Sequence, residues 1–293
     1  MAHSLVVNTG LYRHLNVYHA RQASRDEMGR FHSEDYLNYL EQFVSRDITS
    51  KLTSMGIDRF AYPATNSGGL EHLEQRQRFK VGESTDCPAF NGLYNLCQIS
   101  SGASIDAACL LLNGETDIAI NWTGGLHHAK KSEASGFCYV NDIVLAIIEL
   151  LNVYPRVLYL DIDVHHGDGV EEAFYLSNRC MTVSFHQYGD DFFPGTGGLF
   201  EQGEGDGKKF ALNIPLKPGI SDDAFYELFK DVMTGVMGKF RPHALLMQLG
   251  ADSLCYDKLG QFNLSVKGHA RCLDFMLGFG VPTMMVGGGG YTI

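Results

Sequence analysis

The sequence predicts an α/β protein built on an open, mostly parallel β-sheet with helices on both faces. Three observations predict it. Six short runs of β-branched and aliphatic residues recur along the 293 residues. Helix-like stretches lie between several of them. The runs are continuously apolar rather than alternating, as strands covered on both faces are.

The strands are expected at Asp117–Trp122, Val157–Ile162, Met181–Phe185, Phe210–Pro215, Ala244–Leu249 and Pro282–Val286. Helices are expected over Asn141–Leu151, closed by Pro155, and over Val170–Tyr175, Asp222–Phe240 and Ser265–Phe279, with Gly280 as a stop signal. The segment 47–77, with Pro63 and Asn66-Ser-Gly-Gly69, reads as an exposed excursion ending in a short helix near Leu70–Phe79. No second core follows it, so one domain over 1–293 is expected.

Composition narrows the function classes. With 45% hydrophobic and 19% charged residues, the chain has ordinary globular material for a core. Its net charge of −11 argues against a sequence-independent grip on nucleic acid and suits a cationic ligand or a basic peptide tail. The seven cysteines are odd in number and never spaced C-x-x-C, which disfavours a disulfide framework or a cysteine zinc site and fits a reducing compartment. The N-terminus lacks the pattern of a signal peptide, and apolar runs such as Ile143–Leu151 are too short to span a bilayer. An intracellular protein with no membrane partner is expected. Lys130-Lys131 is too little for a nuclear import signal.

The unusual residues fall where ligands bind in parallel sheets, beyond the carboxyl ends of strands. Gly124-Gly-Leu-His-His128, Asp163 and His165, His186 with the loop to Asp191-Phe-Phe-Pro-Gly-Thr196, Gly-Ala-Asp252 and Gly287-Gly-Gly-Gly-Tyr291 each follow a strand. In an extended segment Asp161, Asp163 and His165 share one face, and such a face cannot be buried in hydrocarbon. Asp163, His165 and a third ligand, Asp252, make three protein ligands with an open position, the pattern of a catalytic zinc site. Singly, each has a plainer explanation. A D-x-H pair is mostly chance, Asp252 suits a cap, Asp168 between glycines suits a turn, and His127-His128 suit one surface and one core histidine. Their joint position favours a site.

The stretches Gly124–Asp142, Leu158–Glu172, Phe193-Pro-Gly-Thr196 and Gly287-Gly-Gly-Gly-Tyr-Thr-Ile293 closely resemble the zinc-dependent histone deacetylases of class I type. The resemblance runs from about Leu11 to the last residue and is interrupted mainly at 47–77. It implies an arginase-like fold and hydrolysis of ε-N-acetyl-lysine on histones, with corepressor subunits as partners. The expected location is the nucleus, with the cytoplasm as a second compartment. It implies Asp163, His165 and Asp252 as ligands of zinc, with ferrous iron the alternative. His127 and His128 are the implied tandem pair, oriented by Asp161 and Asp168, and Tyr291 is the transition-state tyrosine. Phe137 and Phe193 are the implied channel walls, though without the resemblance both read as core, and Gly136, Leu259 and the rim residue Asp86 complete the substrate site. Asp161, Asp163, Ser184 and the backbone oxygens of His165 and Phe185 are implied for potassium. His128 is favoured as base and acid, and His127 as electrostatic support, although sequence does not divide those roles.

Three departures from the pattern shape the expectations. The chain begins past the family's first strand and stops two residues after Tyr291, short of its C-terminal tail, so Tyr291 is expected to fray unless tied down. The 47–77 insertion sits before Asp86, as a solvated loop or as an altered contact surface. Where members bind an inositol phosphate, this chain offers Lys258. Two enzymatic alternatives are a polyamine or small-molecule deacetylase, disfavoured by Leu259 where a carboxylate would be needed, and a manganese hydrolase of arginase type. A catalytically silent scaffold is the third.

Overall fold

A computed structural model of the chain describes residues 2–41, 69–82, 86–189 and 191–292. Six strands form one parallel sheet: β1 (Ile118–Asn121), β2 (Val157–Asp161), β3 (Cys180–Gln187), β4 (Ala211–Leu216), β5 (Ala244–Gln248) and β6 (Thr283–Val286). Their order is β1-β6-β5-β2-β3-β4. All six expected strands are present, with ends shifted by two residues at most.

Alternate side chains of the central strands enter two separate cores, as the period of an extended chain requires. Leu158 and Leu160 of β2 and Leu245 and Met247 of β5 pack with Phe225, Phe229 and Met233 from the helix Asp222–Phe240, and with Cys272 and Met276 from the helix Val266–Leu277. Val157 and Tyr159 of β2 and Ala244 and Leu246 of β5 face the other way. There they meet Ala108 and Leu111 from the helix Leu93–Leu112, Ile143 and Ile147 from the helix Asp142–Leu150, and Val170 and Phe174 from the helix Asp168–Phe174. A further cluster, with Met28, Tyr36, Leu37 and Phe79, packs residues 23–40 onto the outside of the helix Leu93–Leu112.

The four expected helices form, and their ends follow local chemistry. The Asn141 side chain accepts from the Val144 amide at 3.1 Å, and Ser265 accepts from the Gly268 amide at 3.2 Å, each capping a helix start. The helix expected from Val170 begins two residues earlier, so Asp168 is a helical residue and not a turn residue. The 20-residue helix Leu93–Leu112 escapes the sequence reading because its buried face includes Ser100, Ser101, Gly102 and Ser104, which carry no hydrophobic period. Of the 47–77 excursion, 47–68 lies outside the described residues, and Gly69–Phe79 is the expected short helix. All seven cysteines are free thiols. No helix among the described residues is long and apolar enough to cross a membrane.

Candidate metal centre and its surroundings

β2 ends at Asp161, and the chain then bends sharply instead of running on extended. Asp161 Oδ1 accepts from the Asp163 amide at 3.0 Å, and Asp163 Oδ1 accepts from the His165 amide at 2.9 Å. Successive carboxylate-capped turns therefore bring Asp163 and His165 together, which corrects the expectation that strand alternation alone would align them. Asp252 arrives from a single 3-10 turn, Ala251–Ser253, just beyond β5. Its Oδ1 accepts from the Val164 amide at 2.9 Å, which locks the two strand ends together.

The result is a group able to hold a metal ion. One ligand atom each from Asp163, His165 and Asp252 lies within 4.8 Å of the others, and all three residues are buried. His165 Nδ1 stands 3.1 Å from Asp163 Oδ1 and 3.1 Å from Asp252 Oδ2. Ligands about 2.0 Å from a tetrahedral zinc ion are separated by about 3.3 Å, so these donors fit with little movement. The electrostatics fit as well. Burial opposes charge on His165, but its bonds to the two carboxylates hold the imidazole up at about 10. Burial, and then the charge on Asp163, pushes Asp252 up to about 7, while His127 and His165 hold Asp163 well below the usual range. Two buried carboxylates thus converge on one ring nitrogen, and a divalent ion would offset their mutual repulsion more fully. At Gly289 a Cβ would stand 1.9 Å from Asp252 Oδ2, so only glycine lets the last strand's loop pass this close.

Both histidines of the tandem pair are buried, which rules out one of them as a surface residue. His127 Nδ1 lies 2.7 Å from Asp161 Oδ2, and His128 Nδ1 lies 2.7 Å from Asp168 Oδ1. Their rings are 3.9 Å apart. Burial opposes charge on His127, yet Asp161 and Asp163 overcome it and hold the group up at about 9. For His128, burial and the neighbouring His127 charge together lower it to about 4. The pair is therefore divided into one charged and one neutral imidazole near pH 7.

The aromatic residues surround this centre. Phe193 meets the His128 ring edge-on at 4.9 Å and is 39% exposed. Phe137, 49% exposed, meets the Tyr291 ring at 5.8 Å. Neither is core packing. Ser135 and Cys138 exchange backbone bonds of 3.0 and 2.8 Å, with Gly136 at φ 52° and Phe137 at φ 65° between them. That is a two-residue hairpin turn of the I′ kind, and it presents Phe137 outward. Asp86 accepts from the Gly136 amide at 2.7 Å, tying this carboxylate to the hairpin turn. Ser184 bonds His186 Nδ1 at 2.9 Å, and in the sheet register it is the partner of Asp161.

Tyr291 is tied down. Its amide donates to Asp257 Oδ2 at 2.7 Å, and the Thr292 hydroxyl donates to the Tyr256 carbonyl at 2.8 Å. Asp257 Oδ1 meanwhile accepts from the amides of Leu259, at 2.8 Å, and Gly260, at 3.2 Å. Burial, with Asp252 and Asp163 nearby, pushes the Tyr291 phenol well up, so it stays a hydrogen-bond donor.

Sequence reasoning missed four supporting residues. Asp257 anchors Tyr291. Gln248, at the end of β5, donates to Asp163 Oδ2 at 2.9 Å. Lys130, earlier weighed only as an import signal, contacts Asp168 at 2.7 Å and Glu172 at 3.0 Å. Phe192 stacks on His165 at 5.2 Å with ring planes 7° apart. Only Gln248 carried a signal, as an amide closing an otherwise apolar strand.

A family model described as the histone deacetylase domain matches residues 1–293. The chain is 52% identical over 293 residues to Histone deacetylase 1 of Homo sapiens, covering 100% of this chain and 56% of that protein. It is likewise 52% identical to Histone deacetylase HDAC1 of Drosophila melanogaster, covering 52% of that protein. Against Histone deacetylase B of Dictyostelium discoideum it is 50% identical and covers 64%. The chain thus spans roughly half to two thirds of the length of these relatives, and all of its own length is matched.

Proposed function

We propose that this chain, which belongs to the histone deacetylase family, hydrolyses the acetyl amide of ε-N-acetyl-lysine in histone tails. One observation carries the reading: the buried Asp163–His165–Asp252 group lies beside a neutral histidine, His128, that is held by a carboxylate. When bound there, zinc, or ferrous iron in its place, polarises a carbonyl and makes water more acidic.

The chain's own residues do the rest. With Nδ1–H donated to Asp168, neutral His128 keeps Nε2 free to take the proton of the attacking water. It then delivers that proton to the departing lysine amine. Charged His127, fixed by Asp161, offsets negative charge as it develops. The Tyr291 hydroxyl, kept protonated, donates to the oxyanion. Phe137 and Phe193 line a slot for the four methylenes of lysine. Asp86, Gly136 and Leu259 form the rim that meets the substrate backbone. Asp161, Asp163 and Ser184, with the backbone oxygens of His165 and Phe185, would hold a potassium ion, which would offset carboxylate repulsion. The charge of −11 attracts basic tails. The same reading makes the protein a nuclear chromatin regulator working with corepressor subunits.

The test is metal content together with turnover. One zinc-class ion per chain and cleavage of an acetyl-lysine histone-tail peptide are expected. Preference for an acetylpolyamine would overturn the substrate, and two manganese ions would favour an arginase-type hydrolase. Turnover no better than that of Tyr291→Phe would leave a silent scaffold.

A further inference from the structure

A second concave surface lies at the opposite rim of the sheet, at the amino ends of β2 to β5. It is a groove of about 970 Å³ between β3, β4 and the helix Asp222–Phe240. Its apolar floor is Met181, Phe210, Leu212 and Val232, all only partly buried. Around the floor stand Arg156, Lys208, Lys209, Lys239 and Arg241, with Asp231 the one carboxylate in the lining. Five of the chain's 23 cationic residues thus meet in one groove with one of its 34 acidic ones.

The cations are available. Lys208, Lys209, Lys239 and Arg241 are exposed, and no ion pair engages Lys208, Lys209 or Lys239 among the described residues. Arg156 is fixed by two bonds, of 3.1 and 2.8 Å, from its guanidinium to the Arg241 carbonyl, so part of the rim is preset. Arg241 in turn closes the helix in a left-handed conformation at φ 50°.

We propose that this groove binds an acidic peptide segment of a partner protein, with Asp or Glu side chains interleaved with Leu or Phe. Each half of that description answers a feature of the groove. The apolar floor gives a bare anion nothing, whereas Leu or Phe side chains bury against Met181 and Phe210. The cationic rim selects carboxylates over the basic tails that the rest of the molecule attracts. A nucleic acid would need a longer basic track and stacking faces, and an extended anionic membrane would meet the repulsion of the −11 chain beyond this patch.

The experiment is fluorescence anisotropy of a labelled peptide alternating Glu and Leu with one Phe, titrated with the whole chain. Saturable binding is expected, weakened at least tenfold by the triple variant Lys208→Glu, Lys209→Glu, Lys239→Glu, and weakened as salt rises. A Lys-for-Glu version of the peptide should not bind. Because the three lysines are exposed and remote from Asp163, metal content and deacetylation of the triple variant should be unchanged. Leu212→Glu tests the floor separately and should also weaken binding. Absence of saturable binding, or equal binding by the triple variant, would overturn the proposal. So would displacement of the peptide by a single-stranded oligonucleotide or phosphatidylserine vesicles with retention of those in its place.

Discussion

The two rims of the sheet treat charge in opposite ways. At the carboxyl rim, Asp161, Asp163, Asp168, Asp252, His127, His128 and His165 are all buried, and hydrogen bonds or close partners account for each of them. At the amino rim, Lys208, Lys209 and Lys239 stand in solvent around an apolar floor. Burying charge fixes geometry and moves proton affinities, which is what bond cleavage requires. Leaving charge exposed keeps it free for a ligand that arrives with its own counter-charge. The same fold offers both because each strand has two ends.

Substitutions at the carboxyl rim should therefore have large and specific effects. The largest is expected for Asp252→Asn, which removes one charge from the candidate metal group. Metal content should fall well below one per chain and turnover by on the order of 10³-fold or more, measured by metal analysis and peptide deacetylation. Tyr291→Phe keeps the metal group intact and should lower kcat by about 10²–10³-fold with metal content unchanged. Loss of metal in that variant would show the two functions to be inseparable.

Next comes the charge on His127. Its folded value near 9 lies above an unfolded value of about 6.5. A raised value stabilises the fold fully below pH 6.5, and that stabilisation is lost as pH climbs through 9. In metal-free protein the difference in urea-unfolding free energy between the native chain and His127→Asn should shrink over this window, by on the order of 3 kcal/mol. A gap that widens toward alkaline pH would contradict the assignment.

The smallest effect is expected from Asp257→Asn, which places an amide donor against the Tyr291 amide. A fall in kcat of roughly 10–100-fold is expected, with metal content and KM little altered. In a Tyr291→Phe background the same change should cost almost nothing. Full additivity of the two substitutions would mean that Asp257 does not act through Tyr291.

The contrast between the rims also explains what was legible in the sequence. Continuous apolar runs disclosed the six strands because strands covered on both faces leave no ambiguity of register. Asp163, His165 and Asp252 stood out because ionisable residues directly after such runs have no place in a core. The helix Leu93–Leu112 did not stand out, since serines and alanines pack it where leucines usually would. Gln248 and Asp257 were missed for a related reason: one polar residue in a strand or a turn is ordinary until its partner is known. The partner of Asp257 lies 34 residues away in sequence, beyond any local pattern. The basic groove was equally hidden, being assembled from four separated segments whose charges are unremarkable one at a time.

The carboxylate of Asp257 accepts hydrogen bonds from two places at once, the Leu259–Gly260 turn and the arm carrying the phenol. Those two parts are consequently geared to each other like the jaws of a clamp pivoting on one pin. A displacement of the Leu259–Gly260 turn is therefore passed through that one side chain to the backbone of Tyr291.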